Sequence, residues 1–355
     1  MNAPLIAIYG ATGHTGRLVA AELLSRGRDI VLSGRDAGAL RALADELGPP
    51  ERVRTHAAPL DDRTSLRELT ESASVLIHCA GPYAETGAPV ASAAAEAGCH
   101  YVDHAVEPHH VRYMFDSLQA TAERTGAVMI PQMSFYGGLA DLLAAAVAEG
   151  LTEVDRVTVG YAVTGWRMTR GARKTAELLI GEIDRVTFTD GALRVGPVEI
   201  RNTVFPFPPP VGPRTMIAPF PSGEVVTIPR HVPARTVESQ LTSRTFEEEQ
   251  VFTSEDADAQ ARARTEFTVA AQVTSPGGGG RNGHVSGRDI WWVGAVASVE
   301  AAVRLAEGGG PGKSGVLGAA EAFPAVPFLR TLEHLGALTV SLEAPRTPPA
   351  ESPAT

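Results

Sequence analysis

Apolar and polar positions alternate along the first part of the chain in a repeating order, a short apolar run followed by a stretch of helical period. Ile6-Ala7-Ile8-Tyr9 reads as a strand and Arg17 to Leu24 as an amphipathic helix. Ile30 to Ser33, Val53 to His56, Ser74 to Cys79, Tyr101 to Asp103 and Ala127 to Pro131 read as further strands. Between them Ala39 to Leu47, Thr64 to Glu71, Val90 to Ala97 and Val111 to Arg124 read as helices. Strands separated by helices imply a parallel sheet covered on both faces. The texture changes after about Gly150. Val154 to Val163 reads as a strand and Thr169 to Ile183 as a helix, followed by short strand-like pieces at 185–188, 192–195 and 198–200. Phe205 to Pro210 is a stiff extended loop or edge, 223–228 and 264–273 are strand candidates, and Gly277 to Gly283 is a hairpin tip or linker. Asp289 to Val296, a helix at 299–307 and a helix at 327–335 complete the pattern.

The expected fold is α/β: a doubly wound parallel sheet at 1–150 with an inserted α+β domain, mainly antiparallel, at 151–285. Residues 286–344 are expected to return to the first domain and 345–355 to form a disordered tail. The inserted sheet is expected to serve as a homodimer surface or as the floor of a substrate cleft. The chain has 355 residues and a net charge of −10, which argues against nucleic acid or an anionic membrane as partner. It has no apolar run of membrane-spanning length. Two cysteines, Cys79 and Cys99, allow neither a disulfide framework nor a multi-cysteine metal site, and the expected compartment is the reducing cytoplasm.

The chemistry starts at Gly10-Ala11-Thr12-Gly13-His14-Thr15-Gly16, set between the first strand and the first helix. Gly10 permits the turn, Gly13 lets the backbone approach a diphosphate, and Gly16 lets helix and strand pack closely. The helix start offers amides and a positive dipole end to the anion. Ser33-Gly34-Arg35-Asp36 stands where an NAD site carries a carboxylate for the ribose. Arg35 suits a 2′-phosphate, so NADP is expected before NAD; in the alternative Arg35 is a solvated turn residue and Asp36 takes the ribose. Asp61 or Asp62 either contacts adenine or caps a helix.

GATGHTGRLVAAELLSRG, Cys79-Ala80-Gly81-Pro82-Tyr83 with Gly87-Ala88-Pro89-Val90, and Gly98-Cys99-His100-Tyr101-Val102-Asp103 with Glu107 together resemble the saccharopine dehydrogenase-like family. A less regular match returns at Gly287 to Ile290 and at Gly315-Val316-Leu317 with Phe328-Leu329. The resemblance implies an NAD(P)-binding domain closed by the C-terminal segment, with relatives that reduce amino-acid imines, form polyamines or reduce enoyl groups. The chain departs from the family at His104-Ala105-Val106-Glu107, where a threonine–glycine pair often precedes the glutamate, and at Ser134-Phe135-Tyr136-Gly137-Gly138.

Hydride delivery to C=N or C=C leaves charge that an acid must quench. His104, Glu107, Tyr83 and Tyr136 are the candidates. Against this, Tyr83 packs as a plain aromatic, and Asp103 with Glu107 bonds backbone amides to hold the loop. Ala80, Gly81 and Pro82 follow the fourth strand and line the dinucleotide. Trp166, Arg173 and Lys174 are the candidate substrate contacts, for a carboxylate or a carrier-borne thioester arm, with Arg170 beside them; a solvated face is the alternative. His104, Glu107, His109 and His110 match no zinc signature, and no metal is expected. Gly308 to Ser314 lacks the first glycine of a phosphate loop and reads as a connector. No tyrosine is followed by lysine four places on, which excludes short-chain dehydrogenase chemistry. The expected function is an NADP-dependent reductase of a C=N or activated C=C bond in a small-molecule or carrier-bound substrate. The alternative is a non-catalytic dinucleotide sensor or scaffold subunit.

Overall fold

The structure, a computed structural model, describes residues 4–49, 51–247 and 259–343; the expected tail at 345–355 lies outside the described residues. The first layer opens with β1 (Ile6–Tyr9), α1 (His14–Ser25), β2 (Ile30–Gly34), α2 (Ala37–Leu47), β3 (Val53–Ala57), α3 (Arg63–Ser72) and β4 (Val75–His78). It continues with α4 (Tyr83–Ala97), β5 (His100–Asp103), α5 (Pro108–Tyr113), a wide turn at Met114–Leu118, α6 (Gln119–Thr125) and β6 (Val128–Ile130). These strands form a parallel sheet in the order β6-β5-β4-β1-β2-β3. The chain moves outward from β1 on one side and returns to β4 on the other, so a crevice opens where the carboxyl ends of β1 and β4 diverge. Along β1 the side chains alternate. Ile6 and Ile8 enter one core with Val19, Leu23, Leu40 and Leu43, while Ala7 and Tyr9 enter the other with Leu66, Leu69 and Val90. Each fully buried aliphatic side chain contributes about 1.5–3 kcal/mol.

The glycine turn works as its sequence implies. Gly10 takes φ 80°, and a Cβ there would lie 2.7 Å from Ala80 Cβ. A Cβ on Gly16 would strike the Gly10 carbonyl oxygen, so Gly16 is what lets α1 sit directly on the turn.

After α7 (Gly138–Ala148) comes a mixed sheet. Its elements are β7 (Val154–Thr164), α8 (Arg170–Gly181), β8 (Asp184–Thr189), β9 (Ala192–Pro197), β10 (Arg201–Pro206), β11 (Pro213–Ala218), α9 (Glu224–Thr227), β12 (Ala234–Thr242), the short helices α10 (Arg244–Glu247) and α11 (Ala259–Arg262), β13 (Glu266–Thr274) and β14 (Gly280–Arg288). The chain then forms α12 (Ile290–Ala306), β15 (Gly315–Val316), α13 (Ala319–Ala322), α14 (Ala325–His334) and β16 (Thr339–Leu342). The mixed sheet runs β10-β11-β12-β7-β13-β14-β16, with β8 and β9 attached through β12. It is antiparallel except for β12 and β7, which pair in parallel with Val237 opposite Val157. The last part of the chain stitches the layers together: β15 adds to β6 and β16 adds to β14.

Four local readings are corrected. The 223–228 strand candidate is the helix α9, and 198–200 is not a strand. The fourth helix begins at Tyr83 rather than Val90 and carries Pro89 inside it. The segments at 289–296 and 299–307 are one helix, α12, almost wholly buried and rich in alanine and valine. A helix apolar on all sides has no stripe to reveal its period. No helix among the described residues is long and apolar enough to cross a membrane.

Candidate dinucleotide and substrate site

A cavity of about 1160 Å³ opens along the carboxyl ends of the parallel strands and continues under the mixed sheet. Its first half is backbone and turn. Gly10, Thr12, Gly13, His14 and Thr15 line it at the start of α1. Gly13 is the N-cap and no side chain caps the helix. Arg17 N–H bonds back to Gly13 O at 3.0 Å, while among the described residues the Thr15 and Gly16 amides have no acceptor outside the helix. Uncapped first-turn amides on a twelve-residue helix fit a diphosphate. Gly34 and Arg35 line the cavity at the end of β2, and no carboxylate among the described residues lies within ion-pair distance of Arg35. Asp36 faces elsewhere. Its carboxylate accepts from the Gly38 and Ala39 amides and caps α2, and those bonds hold its pKa below the ordinary value. Asp61 lines the cavity after β3, and the capping role falls to Asp62, which accepts from Thr64 and Ser65 amides. Ala80, Gly81 and Pro82 line it after β4. These residues fit a dinucleotide with a 2′-phosphate.

Two expected cofactor contacts are corrected. Ser33 is fully buried, and its carbonyl accepts from the Gly10 and Ala11 amides, so it braces the turn from behind. Gly16 lies off the cavity wall and acts through packing.

The acid candidates separate by what already holds them. Tyr83 donates its hydroxyl to His78 O at 2.7 Å and accepts from His104 N–H at 3.1 Å. Glu107 accepts from Tyr83 N–H (2.9 Å) and the Thr175 hydroxyl (3.4 Å) on one oxygen, and from Val106 N–H (2.9 Å) on the other. It therefore brackets the loop to α4 and α8, as the structural alternative held. His104 lies between two hydroxyls, with Ser134 Oγ 2.9 Å from Nδ1 and Ser298 Oγ 2.9 Å from Nε2. Ser298 donates to Ala295 O, so it accepts from Nε2–H, and Nδ1 accepts from Ser134. Burial pushes the His104 pKa down to about 4, against the pull of Asp103, so the ring is neutral near pH 7. Beneath them Asp103 is fully buried and accepts from the Ala105 amide (3.0 Å), the Gln132 amide (2.6 Å) and His110 Nε2 (2.9 Å). Tyr136 differs from all of these. Its ring lines the cavity, its hydroxyl is buried, and that hydroxyl has no hydrogen-bond partner among the described residues.

The second half of the cavity is apolar. Trp166 and Lys174 line it, as do Met168, Leu179, Ile217 and Phe220. Trp166 stands 6.5 Å from Trp291, which meets His14 edge-on at 5.4 Å and so ties the second half to the phosphate turn. Arg173 is corrected: it is off the cavity wall, 3.5 Å from Glu177 on the outer side of α8. Sequence reasoning missed three features. Glu224, in α9, is fully buried and accepts the Tyr161 hydroxyl, with burial raising its pKa. Ser298, 194 residues from its partner His104, completes the histidine clamp. Arg185 on β8 reaches the cavity from the mixed sheet. For Glu224 the available signal was a lone glutamate ahead of the apolar Val225-Val226 pair.

An uncapped helix start over a parallel-sheet switch point, roofed by a second sheet, defines a Rossmann-type dinucleotide-binding protein. Residues 6–130 match the model of the saccharopine dehydrogenase NADP binding domain, the stretch that carries most of the motifs quoted for the resemblance. A probable mitochondrial saccharopine dehydrogenase-like oxidoreductase of Arabidopsis thaliana is 32% identical over 140 residues, 36% of this chain and 31% of that protein. A trans-acting enoyl reductase of Mycobacterium ulcerans is 34% identical over 144 residues, 39% of this chain and 34% of that protein. The matched stretch thus spans about a third of these relatives. The fold of apo saccharopine dehydrogenase (L-Glu forming) from Saccharomyces cerevisiae superposes with a TM-score of 0.65 at 12% identity, over 96% of this chain and 100% of that one.

Proposed function

We propose that the chain is an NADPH-dependent reductase of an electron-poor C=C bond in an apolar small molecule or carrier-bound chain. The observation that carries this reading is the continuity of the cavity: at about 1160 Å³ it exceeds the usual ligand range of ~300–1,000 Å³ and joins the diphosphate turn to an apolar chamber. A scaffold that only held a nucleotide would need no such chamber. When bound, NADPH supplies a hydride. The Thr15 amide and the turn before it hold its diphosphate and Arg35 its 2′-phosphate. Reduction places a hydride on one carbon and a proton on its neighbour; the Tyr136 hydroxyl, covered in the free protein although its ring lines the chamber, donates that proton once substrate opens the wall onto it, and solvent restores it after product leaves. Neutral His104, clamped by two serines, shapes the chamber wall and donates nothing to the reaction.

The charges favour C=C over C=N. A protonated imine needs a nearby carboxylate; of those lining the cavity, Glu107 already accepts three hydrogen bonds, Asp61 follows β3 at the nucleotide end, and Glu85 is exposed in the first turn of α4. Arg170, Lys174 and Arg185 surround the chamber with positive charge. NADPH oxidation is to be followed with crotonyl N-acetylcysteamine thioester and with 1-pyrroline. Turnover of the thioester alone is expected; turnover of the imine alone moves the reading to imine reduction, and NADPH binding with neither reaction supports the scaffold. Separately, Arg35→Ala is expected to weaken NADPH binding about 10–100-fold and leave NADH within about threefold, because a charge-assisted contact to the 2′-phosphate is lost. Calorimetric titration with both nucleotides checks it, and equal weakening of both contradicts the assignment.

A further inference from the structure

Arg185 has the surroundings of a ligand anchor. It sits on β8 with 8% of its surface exposed and lines the large cavity beside Ile217, Pro219 and Phe220. A smaller cavity of about 240 Å³ lies on its other side, so its side chain forms the partition between the two. Its recorded bond is one long contact, Nη1 to Pro219 O at 3.4 Å. Among the described residues no carboxylate lies within ion-pair distance of it. Glu238, which faces the smaller cavity, is taken by Arg201 Nη2 at 2.9 and 2.7 Å and by Gln240 Nε2 at 2.8 Å. Glu182 feels Arg185 only at longer range, and its nearer neighbour is the His109 ring, with Nε2 at 4.0 Å. A guanidinium this buried is costly without a counter-charge, and buried arginines are as a rule paired.

We infer that Arg185 binds an anionic group of the substrate. This rests on the reductase reading only in taking the apolar chamber as the substrate's. The wall around Arg185 sets the rest of the ligand. Leu179, Ile180, Ile200, Ile217, Phe220 and Leu241 enclose an apolar body, and Ile180 and Ile200 are 68% and 52% exposed where the chamber meets solvent. The class is therefore an amphipathic acid: an apolar chain or ring system with one carboxylate or phosphate, the anion seated against the mixed sheet. The guanidinium fork binds such a group with two parallel hydrogen bonds. Lys174 and Arg170, on the exposed side of α8, steer the anion inward without holding it in a buried pair.

The test compares decanoate with decanamide, which share the chain and differ in charge. Binding of each is measured by calorimetry on the full chain, with and without saturating NADPH. Wild-type protein is expected to bind decanoate at least about tenfold more tightly than decanamide. Arg185→Met is expected to abolish that preference, Arg185→Lys to keep part of it, and both to leave the NADPH titration unchanged. A decanoate preference that survives in Arg185→Met, or none in the wild type, overturns the assignment. The wild-type comparison decides the matter even if Arg185→Met does not fold. Should NADPH fail to bind, the reductase reading falls, while the decanoate comparison in cofactor-free protein still judges Arg185.

Discussion

Tyr136→Phe is expected to lose about 10²–10⁴-fold in reductive turnover while its thermal midpoint stays level or rises. The two effects point in opposite directions because the hydroxyl is an expense to the fold. It is buried without a hydrogen-bond partner among the described residues, and an unsatisfied buried polar group costs about 1–3 kcal/mol. The ring is held by aromatic neighbours, with Phe135 at 4.8 Å, Tyr161 at 5.0 Å and Phe220 at 5.5 Å, and phenylalanine keeps all three. A merely structural tyrosine would show neither the activity loss nor the neutral stability. The pH profile separates Tyr136 from the histidine. Burial first, and the nearby Glu224 second, push the Tyr136 pKa above its usual value, so the donor form persists through pH 6–9 and the rate is expected to stay flat there. Were His104 the acid, with its pKa near 4, activity would climb steadily as pH fell through that interval. Paired melting curves and pH–rate profiles of wild type and variant decide it.

Asp103→Ala is expected to destabilise the fold by about 3–5 kcal/mol, because it strands buried donors rather than removing one contact. The Ala105 amide, the Gln132 amide and His110 Nε2 converge on this carboxylate from three segments of chain. They fix the loops after β5 and β6 that carry His104 and Tyr136. Asp103→Asn keeps an acceptor for both amides and is expected to recover most of the loss. Burial alone would raise the Asp103 pKa; the His110 hydrogen bond and charge and the two amides outweigh it, and the net shift is downward. A folded-state pKa below the unfolded value of ~3.9 means the stabilisation is complete above that pH and fades as pH falls through the depressed folded value. Urea unfolding of wild type and Asp103→Asn between pH 7 and pH 3 is expected to show a gap that narrows only at the acid end. A gap that is constant throughout, or one that already closes near neutrality, contradicts the role given to the ionised carboxylate.

What could be read in the sequence follows how locally each feature is encoded. The glycine turn, Arg35 and the Ala80-Gly81-Pro82 turn each lie at a strand end marked by an apolar run, and all reach the one cavity. The second half hid its elements. β12 carries Ser239, Gln240 and Thr242 buried at the heart of the mixed sheet, so its composition reads as a loop. α7 is almost wholly apolar and lacks a polar face to show its period. Arg173 and Lys174 are adjacent in sequence, yet helical geometry turns one outward to Glu177 and the other to the cavity. The Ser134–His104–Ser298 clamp joins positions that no local pattern connects. Nor does any pattern mark Glu107 as a bracket rather than an acid, since a carboxylate's role depends on which donors the fold brings to it.

The most direct test is a crystal structure grown with NADP⁺. The account predicts the diphosphate on the glycine turn and the Thr15 amide, the 2′-phosphate on Arg35, and the nicotinamide ring turned toward Tyr136 beneath the mixed sheet. A dinucleotide lying elsewhere, or a chamber closed by the protein's own side chains with the nucleotide bound, would contradict it.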